Sequence, residues 1–556
     1  MRSNDHSSAR SKRTGAVFSL AVFLLPSGAL AQSSPGGRGP STGDGTSGVA
    51  QGSSGTSANG ASAATPSPGP DTNELNDRFE PKAKAGTVAN GTNAGPTPGT
   101  AEPTKADDKK DAKKDEPSGK FEFGSYGRVR AVSDLRGGTG RGANIVSFGP
   151  RTDEESYAEI ELRREDTWKD GIKTRIVTTL ALLPPFFHFS GKMTQAIALR
   201  NLYAQGTIDR YTLWVGSRMY RGDDIYLLNW WPLDNQNTVG GGVGIKFDKE
   251  RGDTMLALHA GMQRLDDPFQ TQSVAAVAPY GFGSTQVIKV DRPRTIETAK
   301  LIHFFRNSPD KTLFPGNDAM GFKAVVYGEA HQLAAGVQRD PLTDRDRALP
   351  ADTGFLAGVQ LGYWTGVRDG FVHVFAKHAR GIAAYDPLAV PTTFANDRTT
   401  SGASDTIIAT GGNLETEAVG VQWGAYLRFF RDASEGATSR EKYDEGAVVV
   451  RPNIFISDHF GVAVEGSYQQ RRYALADADG ESKLTTGLFR AGVIPYFSPA
   501  GRGSFKRPQL RILYMATARD KGARSLYPKE DVFSQRSVEH FFGLGAEWWF
   551  NSSSYP

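Results

Sequence analysis

The chain has 556 residues, no cysteine and a formal net charge of +4. In an exported protein the lack of cysteine excludes a disulfide scaffold. The slight charge, with no compact Lys/Arg cluster interleaved with stacking aromatics, gives no case for nucleic-acid binding, and the nine scattered histidines show no HExxH spacing, so no metal or other cofactor is implied.

Arg2, Arg10, Lys12 and Arg13 precede an apolar run from Ala16 to Leu25 and a small-residue site, Ala29-Leu30-Ala31, before Gln32. This is the layout of a cleaved secretory signal, residues 1–31, whose apolar run is too short to span a bilayer as a helix. No later segment approaches ~18 uninterrupted apolar residues, so no transmembrane helix is expected. Residues 32–118 are a Gly/Ser/Ala/Thr/Pro stretch ending in a mixed-charge run, Lys105 to Glu116. Such a segment cannot bury enough apolar surface to offset its ordering entropy and is expected to be a disordered extension.

From Phe121 to Phe550 the character changes to short alternating segments separated by Gly, Asp, Asn and Pro. Phe121 and Phe123 oppose Glu122, Tyr126, Arg128 and Arg130. Ile160 and Leu162 oppose Tyr157, Glu159, Glu161 and Arg163. Leu510, Ile512 and Tyr514 oppose Phe505, Arg507, Gln509 and Arg511. At the end Val538, Phe542, Leu544 and Phe550 oppose Glu539, Glu547 and Trp549. Alternate residues of a strand lie on opposite faces, so each segment has one apolar face and one that mixes charge with aromatic rings. Residues 119–556 are therefore read as all-β, a closed antiparallel transmembrane β-barrel with lipid outside and a polar interior. At roughly 10 residues per membrane strand plus a connection, the length allows about 16 to 20 strands. Longer polar connections, 263–295, 338–353, 383–413, 431–446 and 519–537, are expected on the outer side, with short inner turns.

One stretch breaks the alternation. Arg218 to Trp231 packs Arg218, Arg221, Asp223, Asp224, Tyr226, Asn229, Trp230 and Trp231 together before Gly240-Gly241-Gly242. This crowding of charge and rings suits a loop that meets a polar, ring-bearing ligand rather than a dry core, with one of the two tryptophans exposed.

The opening Phe123-Gly124-Ser125-Tyr126-Gly127-Arg128, the segment Tyr157 to Leu162 with Trp168-Lys169-Asp170-Gly171, the Gly216 to Asp234 stretch, Arg451-Pro452, Arg507-Pro508 and the ending Phe542-Gly543…Glu547-Trp548-Trp549 together resemble the maltoporin family of carbohydrate-selective porins, over nearly all of 121–550. The resemblance implies an eighteen-stranded barrel in the outer membrane of a Gram-negative-type cell, surrounded by lipid, assembled as a homotrimer and passing oligosaccharides. It implies a sugar slide of Tyr126, Tyr157, Phe505 and Trp549, with Phe355 a further candidate. It also implies an ionic track of Arg128, Arg151, Glu159, Arg200 and Asp224, and a constriction loop using Arg218, Arg221, Tyr226, Asn229 and Trp231. Pyranose rings offer apolar C–H faces to aromatics and hydroxyls to charged partners, and a row of weak contacts lets a sugar move on without a deep trap.

The chain also departs from the family pattern. Gly222 stands at an arginine position with Arg221 beside it, Asn229 replaces an aspartate, Tyr226 a histidine and Trp231 a tyrosine. The first loop is short and without cysteine, and the aromatic lent to a neighbouring subunit falls at Lys192, with Phe187 or Phe189 in reserve. These changes bear on which sugar passes. A general or anion-preferring porin is the alternative within transport. An outer-membrane enzyme lacks a nucleophile motif, and an adhesin would have to work through 32–118.

Overall fold

The computed structural model describes residues 118–182, 197–220, 222–248, 252–281, 283–307, 311–317, 319–340, 342–436, 441–476 and 483–552. The expected signal and nearly all of the low-complexity extension lie outside these residues, as do Phe187, Phe189, Lys192 and Arg221. Ser118 already belongs to the first strand.

Eighteen strands, the first Ser118–Ser133 and the last Val538–Phe550, pair antiparallel with their neighbours in chain order. The last then pairs back onto the first, with Tyr126 opposite Trp549 and Arg128 opposite Glu547, which closes the barrel and leaves its sheet no free edge. Two small hairpins stand in the connections 264–293 and 334–351, outside the barrel sheet: Thr271–Val277 with Ser284–Asp291, and Gly336–Arg339 with Asp346–Leu349. No helix among the described residues is long and apolar enough to cross a membrane.

The two faces divide as the alternation requires. Phe123, Ile160, Leu162, Leu510, Ile512, Phe542 and Leu544 are exposed on the outer wall, whereas Tyr126, Tyr157, Glu159, Glu161, Glu539 and Glu547 are buried within. A belt of outward apolar side chains around an inward polar set is what a wall facing lipid needs. Phe355 is on the outer face and 49 % exposed, so it is not an interior ring.

Three other expectations are corrected. The connection expected over 383–413 ends at 403, because Ser404–Glu415 is a strand. Its alternation was hidden by the small and polar residues Thr410, Gly411, Gly412 and Asn413. Two inner turns, 307–320 and 498–508, are long. Phe505 stands in the second of these turns and reaches the interior from there, not from a strand.

Arg200 shows how local geometry overrides simple alternation. The pairing between the strands Lys173–Leu182 and Ile197–Ile208 slips, with Thr179 facing Asn201 and Leu180 facing Leu199. Arg200 is the extra residue of this bulge, so both it and Asn201 turn inward while Leu199 and Leu202 stay outside.

Lipid on the outer wall predicts that Leu544→Arg lowers barrel stability by about 2–4 kcal/mol if Leu544 lies near mid-membrane. The same change at Val277, on an outer hairpin, leaves it within about 0.5 kcal/mol. Denaturant unfolding in lipid vesicles reads both.

Candidate functional site

The segment 222–235 turns into the barrel. Its base is closed by the Gly222 amide donating to the Asp234 carbonyl at 3.0 Å. Its tip is closed by the Ile225 amide donating to the Trp230 carbonyl at 2.8 Å. Between them lies a single 3-10 turn, Tyr226–Leu228, which ends where Asn229 takes a left-handed backbone (φ 46°). Asparagine tolerates that conformation better than most residues. Asp223 pairs with Lys323 at 2.8 Å and accepts from Gln360, and Asp234 pairs with Lys300. Burial opposes the Asp223 charge, but the neighbouring Lys323 ammonium outweighs it and holds the carboxyl well below its usual range.

The apolar residues of this loop form the middle of the largest buried cluster. Ile225, Leu227, Leu228, Trp230 and Leu233 pack with Tyr327, Leu356, Phe375, Tyr426 and Val449 on strands farther round the wall. The wall is hollowed to receive them: a Cβ on Gly411 or Gly424 would come within 2.8 or 2.7 Å of the Ile225 side chain. The expectation that one of the two tryptophans is exposed is thus corrected: both are buried (Trp230 5 %, Trp231 6 %).

The first connection folds in as well. Ala143, Ile145, Val146 and Phe148 join the same cluster, and the Phe148 ring stacks on Trp230 with centroids 4.1 Å apart. Its backbone is tied down by the Ile145 amide donating to Gln469 at 3.0 Å and the Phe148 amide donating to the Tyr426 hydroxyl at 3.2 Å. Asp153 pairs with Arg490 at 2.9 Å. Nothing in the short sequence of this connection signalled an inward path.

Tyr226 carries the loop to a group of rings and charges. Its ring centroid lies 5.2 Å from Phe505 and 6.3 Å from Trp549, and Phe505 lies 5.9 Å from Phe371. Phe371, Phe505 and Trp549 are only partly buried. The Tyr226 hydroxyl donates to Glu547 at 2.8 Å and accepts from Arg507. Arg151, Arg507 and Arg511 converge on that one carboxylate at 2.9, 3.0 and 2.6 Å. The Arg507 guanidinium also lies 4.3 Å from the Trp549 ring centre, and that of Arg151 lies 4.4 Å from the Tyr226 ring centre.

Behind this group Tyr126 and Tyr157 are tilted against each other at 6.1 Å and are almost wholly enclosed, 1 % and 0 % exposed. The Tyr126 hydroxyl accepts from Arg151 at 2.8 Å and from Arg128 at 3.0 Å, and Arg128 pairs with Glu154 at 3.3 Å. Arg200 bonds both Tyr157 and Glu159. Arg218 belongs to another group, donating to Gln205 at 3.1 Å beside Tyr203 and Trp214. Asp224 and Asn229 are half-buried on the loop.

The structure thus gathers Tyr126, Tyr157, Phe505, Trp549, Tyr226, Arg128, Arg151, Glu159 and Arg200 in one neighbourhood. It adds Phe371, Arg507, Arg511 and Glu547. The last three already stood on charged faces in the alternation. Phe371 had no such signal, since it begins a strand straight after a turn.

Matched against known families, the chain fits the LamB porin model over residues 121–550. It belongs to the LamB porin family. No curated protein matches it. Among solved structures this LamB porin is similar to Acinetobacter baumannii OccAB4, with TM-score 0.38 and 11 % identity over 79 % of this chain and 99 % of that one. The outer membrane protein opdK of Pseudomonas aeruginosa gives 0.38 and 9 %, covering 78 % and 98 %. Pseudomonas aeruginosa OccK2 (OpdF), solved in complex with glucuronate, gives 0.37 and 11 %, covering 77 % and 98 %.

Among the described residues Glu547 is the one carboxylate paired with all three arginines, so Glu547→Gln is expected to destabilise the LamB barrel by about 3–5 kcal/mol, the usual effect of breaking a buried pair. It should also shift the current towards anions. Denaturant midpoint and reversal potential in a salt gradient read the two effects.

Proposed function

We propose that this LamB porin is an outer-membrane channel for facilitated diffusion of sugars and oligosaccharides along an aromatic slide and an ionic track. The observation that carries the reading is the patch of partly buried rings, Phe505 and Trp549 against Tyr226 with Phe371 against Phe505, beside three arginines and a carboxylate. Rings can pack on the apolar faces of a pyranose, and guanidinium and carboxylate groups can replace the water bound to its hydroxyls. In this reading Trp549 and Phe505 are the accessible part of the slide, with Tyr126 and Tyr157 fixing the arginines behind them. Arg128, Arg151, Glu159, Arg200 and Asp224 form the track. The reading includes export by the signal 1–31, assembly as a homotrimer, and passage rather than catalysis.

A second reading, an anion-preferring diffusion pore, is favoured by the three arginines that share Glu547.

Planar-bilayer conductance titrated with a panel of oligosaccharides separates the two. Facilitated diffusion predicts a saturable block of current, weakened about 2- to 10-fold by Trp549→Ala and by Phe505→Ala, as fits ~0.5–1.5 kcal/mol for an aromatic contact. Block of unchanged affinity in both variants would remove the slide. An anion-selective current that no sugar blocks would support the second reading.

A further inference from the structure

A cavity of about 380 Å³ lies at the loop end of the barrel, where the strands Val419–Arg431, Tyr443–Phe455, Phe460–Ala476 and Lys483–Phe497 come together. Four cations line it, Arg431, Lys442, Arg472 and Lys483, against two carboxylates, Asp432 and Asp444. Two of the cations are committed. Arg431 donates to the Phe430 and Tyr443 carbonyls at 2.7 and 2.8 Å and to Asp444 at 2.6 Å. Lys442 donates to the Ser434 and Gly436 carbonyls and lies 3.6 Å from Asp432. Arg472 stands opposite Asp444 in the strand register, but Asp444 is taken by Arg431. Among the described residues neither Arg472 nor Lys483 has an ion-pair partner.

The position of the cavity narrows what it can hold. Arg431, Asp444 and Arg472 are on the outward side of their strands, on the same faces as Phe429, Leu427, Val448 and Tyr468, all exposed. Phe429 pairs directly across from Asp444. The positive charge that has no carboxylate partner among the described residues therefore sits at the upper margin of the apolar belt, where lipid-facing wall gives way to water. That is the depth of lipid headgroups, and phosphate oxygens are the acceptors that a fixed guanidinium fork and a mobile ammonium match best. A free anion would use the cations alone. A lipid would use the apolar wall beside them too.

We propose that this cavity binds the phosphate of a membrane-lipid headgroup, with Arg472 and Lys483 supplying the positive charge and Arg431 oriented by Asp444. The test uses the full-length protein in neutral detergent and lipid A, a glycolipid with two phosphate monoesters, as probe in native mass spectrometry. Lipid A should stay bound, and R472S/K483S should weaken its retention about tenfold, with R472S alone giving a smaller loss in the same direction. A matched loss of charge on the outer hairpins, K289S/R339S, should leave retention unchanged. Unchanged gel mobility before heating would show that each variant remains folded. Equal retention by R472S/K483S and the parent, equal binding of dephosphorylated lipid, or displacement by equimolar inorganic phosphate would each overturn the proposal.

Discussion

Ile225 fills the space that side chains on Gly411 and Gly424 would otherwise take. The position of the inward loop depends on this contact. With Leu227, Leu228 and Trp230 it makes an apolar seat inside a barrel whose inner face is otherwise rich in charge. Fully burying side chains of this size is worth ~1.5–3 kcal/mol each, enough to hold a short loop across the interior. The polar groups then set where it points. Asp223 and Asp234 tie its two sides to Lys323, Gln360 and Lys300, and Tyr226 extends from the tip to Glu547 and Arg507.

Charge organises the remainder of the interior. Arg200 with Glu159, Arg451 with Glu465, Arg471 with Glu445 and Arg490 with Asp153 are buried or part-buried pairs on the inner wall or the inturned connection. Such pairs add little net stability, because desolvation offsets their attraction, yet losing one partner is costly. They therefore act as constraints on arrangement. Around Glu547 the balance differs, since it serves Arg151, Arg507 and Arg511, of which Arg151 also reaches Glu154 at 3.4 Å. The positive charge remaining there lies next to the rings that solvent can reach, and the proposed selectivity of the channel rests on that proximity.

The strand framework was legible because lipid and interior impose opposite chemistry on alternate residues. Leu544 and Glu547 report their faces without help from tertiary structure. Alternation failed where the backbone is irregular or the side chains are small. A bulge turned Arg200 inward, Phe505 entered from a turn, and Ser404–Glu415 read as a connection because Thr410 to Asn413 are small or polar on both faces, Gly411 on the inner one admitting Ile225. The loop's direction was beyond sequence reasoning for another reason. Tyr226, Trp230 and Trp231 could as well face a ligand as a wall, and only the distant glycines that receive the loop decide between these. The inturned first connection was hidden in the same way, its partners Tyr426, Glu445 and Gln469 lying some 300 residues away.

The seating of Ile225 against Gly424 is the central claim, and Gly424→Val tests it most directly. The added side chain should lift the loop tip and draw Tyr226 away from Phe505 and Trp549. Single-channel recording of the folded variant should then show a changed open conductance together with weaker oligosaccharide block. An open conductance and block affinity both equal to those of the parent would contradict the account.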